Sequence, residues 1–280
     1  MTHELIFAET EQLHLKKLLW ATDLHLDAAD LAEHLQFTEM ARDSDPDGIL
    51  IGGDICNGYN SLIQLRNLAS KLNKPIYFVL GNHDYYYGSI VKTRKMAKIL
   101  SEEIPQLKYL TDCGIVELTP QTALIGHDGW SDGRSGDFLG SHVLLNDYYL
   151  IEELKDITSR ERLQRLNDLG TEAAHYLDKT LRHAVKKYDR IVLLTHVPPF
   201  REVCWYDGQV CDDNWAPHFV NLASGERLKA IMEEHPTKQL LVLCGHSHES
   251  ADVHILPNLH VLAGHSRLGT LSIQGTIYIQ

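Results

Sequence analysis

Polar side chains that can bind metal ions recur directly after short apolar runs of this chain. The set comprises two aspartates, one asparagine and four histidines: Asp23, His25, Asp54, Asn82, His196, His246 and His248. Carboxylate oxygens, imidazole nitrogens and amide oxygens all bind borderline divalent cations, and the set contains no cysteine of the kind that builds structural zinc cages. These residue types therefore indicate a metal site of the catalytic kind.

The apolar runs that precede these residues predict buried β-strands. The runs are Leu18 to Ala21, Ile49 to Ile51, Ile76 to Leu80, Ala123 to Ile125, Ile191 to Leu194 and Leu240 to Leu243. Short continuous apolar segments between polar segments are typical of strands covered on both faces. In α/β sheets the functional groups gather beyond the carboxyl ends of the strands, so we expect the polar set to converge there.

The sequence around these residues suggests how they come together. If the segments after the strands are extended, residues two apart point to the same side, so Asp23 with His25, and His246 with His248, can each converge. Glycines beside Asp54, Asn82 and His246 leave room for the backbone to approach an ion.

Helix signals lie between the predicted strands. Ser61 with Gln64, and Thr158 with Glu161, fit capping boxes at helix starts. Gly170 is expected to divide the long helical pattern that follows Thr158, since glycine costs roughly 1 kcal/mol inside a helix.

The last thirty residues have a different character. Apolar runs at 253–256, 260–263, 270–273 and 276–279 are separated by turn residues. This spacing predicts an antiparallel meander.

The polar set occurs as five motifs in a fixed order: Asp-x-His, Gly-Asp, Gly-Asn-His-Asp, His and Gly-His-x-His. In this order the motifs resemble the calcineurin-like metallophosphoesterase family, from about Lys16 to Ser266. The resemblance implies an α/β four-layer sandwich, in which two central mixed β-sheets are flanked by helices and the metal site lies at the carboxyl ends of strands.

The same resemblance implies a division of the ligands between two metal ions. Asp23, His25 and His248 correspond to the ligands of one ion, Asn82, His196 and His246 to those of the other, and Asp54 bridges the two. The ions would be manganese, iron, zinc or nickel, since such ligands accept each of them. The implied reaction is in-line attack on phosphorus by a hydroxide that bridges the metals.

The resemblance also assigns catalytic roles next to the ligand Asn82. His83 corresponds to the general acid that protonates the leaving group, and Asp84 is expected to orient the His83 ring.

Composition limits the possible partners. The chain has 280 residues, 44% of them hydrophobic and 23% charged, and we expect a single domain over residues 1–280. Its formal net charge of −12 disfavours duplex nucleic acid as the main partner but allows a small phosphorylated substrate.

The sequence also bears on the location of the protein. We find no signal peptide and no apolar run long enough to span a membrane, so we expect a cytoplasmic protein with no membrane partner. Its five scattered cysteines fit free thiols in a reducing compartment.

Two other functions remain open from the residues alone. One is a non-catalytic metal-binding scaffold of the same fold, in which a proton donor such as His83 would be expected to be missing. The other is a nuclease, which would need a basic track for the strand. The sequence leaves open the preference for monoesters or diesters, the oligomeric state, and the roles of several residues near the site: His127, Arg134, His265 and the loop Val197 to Phe219 with its aromatic residues.

Overall fold

All six predicted apolar runs form strands, and these strands belong to two large mixed sheets. The computed structural model of the protein describes residues 3–5 and 16–279. The first sheet contains β1 (His3–Leu5), β2 (Lys16–Ala21), β3 (Gly48–Gly52), β4 (Ile76–Val79), β5 (Leu107–Tyr109) and β14 (Gly275–Ile279), in the order β1-β14-β2-β3-β4-β5. The second contains β6 (Val116–Glu117), β7 (Thr122–His127), β8 (Arg190–Thr195), β11 (Gln239–Cys244), β12 (Ala251–Leu256) and β13 (Leu259–Ala263), in the order β12-β13-β11-β8-β7-β6.

The strands that precede the predicted site residues are parallel neighbours within each sheet. In the first sheet β2, β3 and β4 run parallel, and in the second β8 runs parallel to β11. Their carboxyl ends therefore point in one direction within each sheet, which gathers the polar residues at one edge.

Helices cover the outer faces of the two sheets. They are α1 (Leu31–Asp43), α2 (Asn60–Leu72), α3 (Ile90–Glu103), α4 (Leu110–Cys113), α5 (Asp147–Leu150), α6 (Ser159–Lys187), α7 (Ala216–Phe219) and α8 (Leu222–Glu234), with 3-10 helices at His83–Tyr85 and Arg201–Val203. One apolar cluster joins the first sheet to α1, α2 and α3, and another joins the second sheet to α6 and α8. A third cluster, which includes Leu50, Val192 and Leu241, fills the space between the sheets. The predicted four-layer sandwich is confirmed.

Two of the helix predictions need correction. The capping box of Thr158 and Glu161 is present at the start of α6. Ser61 does not cap α2, because α2 begins at Asn60 and the Ser61 hydroxyl donates to Asp84 Oδ1 at 2.5 Å. The expected break at Gly170 is absent, since α6 is continuous through it.

The contacts of Gly170 explain why the helix continues there. A Cβ atom at this position would lie 2.3 Å from Asp132 Cβ. The glycine therefore lets α6 pack against the loop that carries Asp132, and tertiary packing offsets its poor helix propensity.

The expected C-terminal meander is only partly present. β12 and β13 form an antiparallel pair, but β13 also pairs parallel with β11. Residues 270–273 form no strand beyond an isolated bridge at Thr270, and β14 crosses to the first sheet, where it pairs antiparallel with β2. The apolar pattern predicts three of these strands correctly, but it carries no information on which sheet each strand joins.

Among the described residues, no helix combines the length and the apolar character that a membrane span requires.

Candidate metal centre

Four of the predicted ligands, three of them buried and His248 partly exposed, form a compact cluster beyond the ends of β2, β3 and β11. The donor atoms of Asp23, His25, Asp54 and His248 all lie within 4.8 Å of one another. His25 Nε2 lies 3.1 Å from His248 Nε2, and His248 Nε2 lies 3.4 Å from Asp23 Oδ1. Nitrogen and oxygen lone pairs converge on one point here, which is the arrangement that a divalent cation needs.

The other three predicted ligands lie beside this cluster, around the far side of Asp54. Asn82 Oδ1 is 3.1 Å from His196 Nε2, which is 3.4 Å from Asp54 Oδ1. The His246 ring packs on the His196 ring with 5.0 Å between centroids. The structure thus brings all seven predicted ligands together in two adjoining groups.

Asp54 faces both groups with different oxygen atoms. Its Oδ2 lies 3.7 Å from His25 Nε2, whereas its Oδ1 lies 3.4 Å from His196 Nε2. A carboxylate with one oxygen toward each group is suited to bridge two ions.

Hydrogen bonds fix the orientation of the donors in the second group. His196 Nδ1 donates to the carbonyl of Gly52 at 2.9 Å, which leaves Nε2 for a cation. His246 Nε2 donates to the carbonyl of His218 at 3.1 Å, which leaves Nδ1. The Asn82 amide nitrogen donates to Asp147 Oδ1 at 2.8 Å, so its oxygen is turned toward His196. Such partners set the tautomer and direction of metal ligands.

The backbone of this region adopts conformations that side-chain-bearing residues rarely take. In the described part of the chain ten non-glycine residues have positive φ, and five of them belong to the predicted set: Asp23, His25, Asp54, His246 and His248. Such residues cost free energy and cluster at functional sites. This finding corrects the extended-segment argument, because Asp23 and His25 converge through left-handed turns and not through the pleat of a strand.

Two glycines allow the backbone to come close to the aspartates. A Cβ atom at Gly81 would lie 2.2 Å from Asp54 Oδ1, and one at Gly245 would lie 2.0 Å from Asp23 Oδ2. The expectation that the motif glycines make room at the site is confirmed for both.

The electrostatics of the site favour ionised aspartates and a neutral His246, whereas nearby carboxylates overcome the effect of burial and raise the pKa of His196 and His248. Burial raises the pKa of Asp54, but the neighbouring histidines, His196 first among them, have the larger opposite effect. The net pKa of Asp54 therefore lies below its usual value. Burial, with His196 beside it, lowers the pKa of His246 to about 3. A neutral imidazole and an ionised carboxylate are the forms that bind cations.

His83 lies at the edge of the cluster, and its ring is oriented by a residue that was not predicted. Its Nε2 is 3.9 Å from Asp54 Oδ2, and its Nδ1 is 3.0 Å from Asn57 Oδ1. Asn57 is fixed in turn, because its amide nitrogen donates to Asp27 Oδ2. With Nδ1–H donating to Asn57, Nε2 is the atom that faces the site.

The predicted role of Asp84 as the partner of His83 is therefore wrong. Asp84 is buried below the site, where its Oδ1 accepts from Ile55 N and Ser61 Oγ and its Oδ2 accepts from Gly81 N. It ties together the loops after β3 and β4. Although Asp84 follows His83 in the sequence, the two side chains point in different directions, because both residues lie in a 3-10 helix.

Three further residues near the motifs have roles away from the site. His127 is buried, with Nδ1 accepting from Gly129 N. Arg134 donates to Asp132, to the Asn167 carbonyl and to Thr171. His265 is exposed and its backbone is bound by Gln274. None of the three lines the cleft over the metal centre.

That cleft has a volume of about 230 Å³ and is open to solvent. Its walls include Tyr86 and Leu145 on one side and Tyr206 and Phe219 from the loop after β8. Within this loop a short hairpin, β9 (Trp205–Tyr206) and β10 (Gln209–Val210), carries Tyr206. The free thiols of Cys204 and Cys211, 2.9 Å apart and buried, lie at the base of the hairpin.

The comparison with protein families identifies the class to which this fold and site belong. The model of the calcineurin-like phosphoesterases matches residues 16–250. That range covers most of the chain, so the chain belongs to this family. Its members are generally metal-dependent hydrolases of phosphate esters, and small phosphorylated compounds are their substrates.

Solved structures agree with this at the level of the fold. A phosphopantetheinyl hydrolase from Mycobacterium tuberculosis is 13% identical, with 90% of each chain covered and a TM-score of 0.62. A dimetal phosphatase from Danio rerio is 14% identical, with 94% of this chain and 92% of that chain covered and a TM-score of 0.58. A comparison with curated protein sequences gives no match.

Proposed function

We propose that this protein hydrolyses phosphate esters, either monoesters or small diesters, with two metal ions bound by the seven predicted ligands. The observation that carries the proposal is Asp54, whose two oxygens face two separate groups of donors. One group contains Asp23, His25 and His248, and the other contains Asn82, His196 and His246.

The donor set fits divalent or transition metal ions of the manganese, iron, zinc and nickel type. Two such ions would activate water and offset the negative charge that develops on the phosphoryl oxygens. Other residues of the chain orient the ligands. Gly52, His218 and Asp147 each accept a hydrogen bond from the ligand atom that does not face the site.

His83 is the proposed proton donor. Its ring is partly exposed to the cleft, and its Nε2 faces Asp54 while Nδ1 is engaged by Asn57. An alkoxide leaving group must be protonated as its bond to phosphorus breaks, and the imidazolium form of His83 can supply that proton from Nε2 while its Nδ1–H stays bonded to Asn57.

The competing functions differ in what they would require of the cleft. A scaffold protein has no need of His83 at the cleft edge. A nuclease needs cations to hold the strand, but no lysine or arginine is among the described residues that line the cleft. Both observations support a hydrolase of small esters.

The direct test is turnover of 4-nitrophenyl phosphate and bis(4-nitrophenyl) phosphate after loading the apoprotein with each candidate metal. We expect hydrolysis of at least one ester that depends on added metal. Stoichiometric metal binding without turnover of either ester would favour the scaffold function.

A further inference from the structure

Aromatic rings form a continuous column from the mouth of the cleft down to the metal centre. The Tyr206 ring stacks on Trp215, with 4.0 Å between centroids and an angle of 26°. Trp215 contacts Phe219 at 5.8 Å, and Phe219 packs on the ring of His246 at 4.7 Å. The outermost ring, Tyr206, is thereby placed in a fixed relation to a proposed metal ligand.

Several contacts hold Tyr206 in place. It lies in β9, which pairs with β10 in the two-stranded hairpin. At the hairpin turn, the amide of Gly208 donates to the Glu249 carboxylate at 3.2 Å. The backbone amide of Trp215 donates to Asp212 Oδ1 at 3.0 Å, which holds the segment that carries the ring beneath Tyr206. A platform that is fixed before a ligand arrives loses little conformational entropy when the ligand binds.

The upper face of this platform is available to a ligand. Tyr206 is 40% exposed although one side of its ring is stacked on Trp215. It lines the same cleft as His83, Asp54 and His248. A group bound to a phosphorus atom at the metal centre therefore shares the cleft with Tyr206 and can contact its ring.

The charges of the cleft limit what this group can be. Its described lining contains the carboxylates of Asp54 and Asp147 but no lysine or arginine. Glu249 adds a further negative charge beside the hairpin. Away from the metal ions the described lining therefore has no lysine or arginine to bind a second anionic group, and it offers rings, Leu145 and the amide of Asn146.

We propose that Tyr206 is a specificity-determining residue that stacks a planar, uncharged heteroaromatic group of the substrate, such as the base of a nucleoside monophosphate. This inference rests on the proposed function, since it names the class of ester hydrolysed at the same centre. Stacking of a base on an aromatic side chain contributes about 1–3 kcal/mol. Converted to a ratio of kcat/KM, the lower half of that range corresponds to about 5- to 30-fold.

The matched test compares adenosine 5′-monophosphate with ribose 5-phosphate. Both release a primary alkoxide, so they make the same demand on His83 and differ only in the base. We expect kcat/KM to favour the nucleotide by about tenfold. Tyr206→Ala should bring the ratio close to one, Tyr206→Phe should keep most of it, and Tyr59→Ala, an exposed tyrosine outside the cleft, should leave it unchanged.

A second measurement is independent of turnover. Adenosine carries the base without a phosphate, so its binding to the metal-free protein can be followed by equilibrium dialysis. We expect wild-type protein and the Tyr206→Phe variant to bind adenosine more tightly than the Tyr206→Ala variant, by about tenfold.

The outcomes separate this inference from the proposed function. Equal kcat/KM for the two esters in the wild-type protein, or a ratio unchanged by Tyr206→Ala, would overturn the role of Tyr206 while leaving the hydrolase intact. If no phosphate ester were turned over, including 4-nitrophenyl phosphate, the proposed function would fail. The dialysis result would then decide alone whether Tyr206 stacks a base.

Discussion

At the scale of single residues, the site divides into side chains that point at the metal centre and side chains that hold them there. Each histidine and asparagine of the second group has two polar atoms, and a carbonyl or carboxylate binds the one that faces away. The site as a whole is costly in backbone conformation, because five of its seven predicted ligands have positive φ angles. Metal binding is the interaction that would offset such a cost.

The bridging position of Asp54 leads to a prediction about metal content. Asp54→Ala should weaken the binding of both ions together, because each oxygen of Asp54 faces a different donor group. His25→Ala should chiefly weaken the binding of one ion, because His25 belongs to the first group only. Elemental analysis of loaded protein should give about two metal equivalents for wild type. Equal loss of both metals in the two variants would contradict the assignment.

The position of His83 leads to a prediction about leaving groups. His83→Asn should retain both metals and lose about 10²- to 10⁴-fold in kcat on alkyl phosphate esters. The loss of kcat on nitrophenyl esters should be distinctly smaller, because nitrophenolate is a stable anion that leaves without a proton.

Asn57→Ala provides the matched variant for this experiment. It removes the partner of His83 Nδ1 but keeps the imidazole, so it should reproduce the pattern of His83→Asn at smaller amplitude. Equal losses on alkyl and nitrophenyl esters in both variants, with metal content confirmed, would mean that His83 positions the phosphate and does not donate a proton.

At the scale of elements, the long helix α6 depends on one close contact with a loop. Asp132, which faces Gly170, accepts hydrogen bonds from Arg134 and from the amide of Ala223 near the start of α8. The loop therefore links α6 to α8, and the helix can approach it only because position 170 has no side chain.

Gly170→Ala tests which effect dominates at this contact. Alanine would favour the helix by about 1 kcal/mol. The added methyl, 2.3 Å from Asp132 Cβ, forces a shift of packed groups that typically costs about 1–3 kcal/mol. We expect a net loss of stability in urea denaturation. The exposed control Lys179→Ala should change stability by less than about 0.5 kcal/mol, and a stabilised Gly170→Ala variant would show that α6 has room to move.

At the scale of the whole molecule, the two sheets share an apolar interior that includes Leu50, Val192 and Leu241. Beside it lies a buried polar group around Asp128, which accepts hydrogen bonds from Tyr85, Tyr109 and Arg94. We propose on these grounds that the described residues fold as one domain.

The buried histidine next to this group predicts how stability depends on pH. Burial, assisted by the charge of Arg94, lowers the pKa of His127 to about 4, while Asp128 and Glu172 act in the opposite direction. Between pH 6.5 and 4, His127 is protonated in the unfolded chain but stays neutral in the folded chain. Folding stability should therefore fall as pH falls through this window, by about 3 kcal/mol for this residue.

His127→Asn isolates this contribution. The amide oxygen can still accept from Gly129 N, as the imidazole nitrogen does, but it does not titrate. We expect the slope of unfolding free energy against pH to be smaller in the variant between pH 6.5 and 4. An unchanged slope would mean that His127 takes up its proton in the folded state without cost.

The sequence by itself indicated most of the central strands and the seven donors, because each of these depends on short segments of chain, and the two-sheet class followed from the resemblance of the five motifs to a known family. An apolar run forms a buried strand wherever it pairs, and the donors follow such runs within a few positions. Only the tertiary structure decided which groups support the donors. Asp147 lies 65 positions from Asn82, and Asn57 lies 26 positions from His83. It also decided that α6 continues through Gly170 and that β14 joins the first sheet. These outcomes depend on contacts between distant segments, and local sequence preferences carry no information about such contacts.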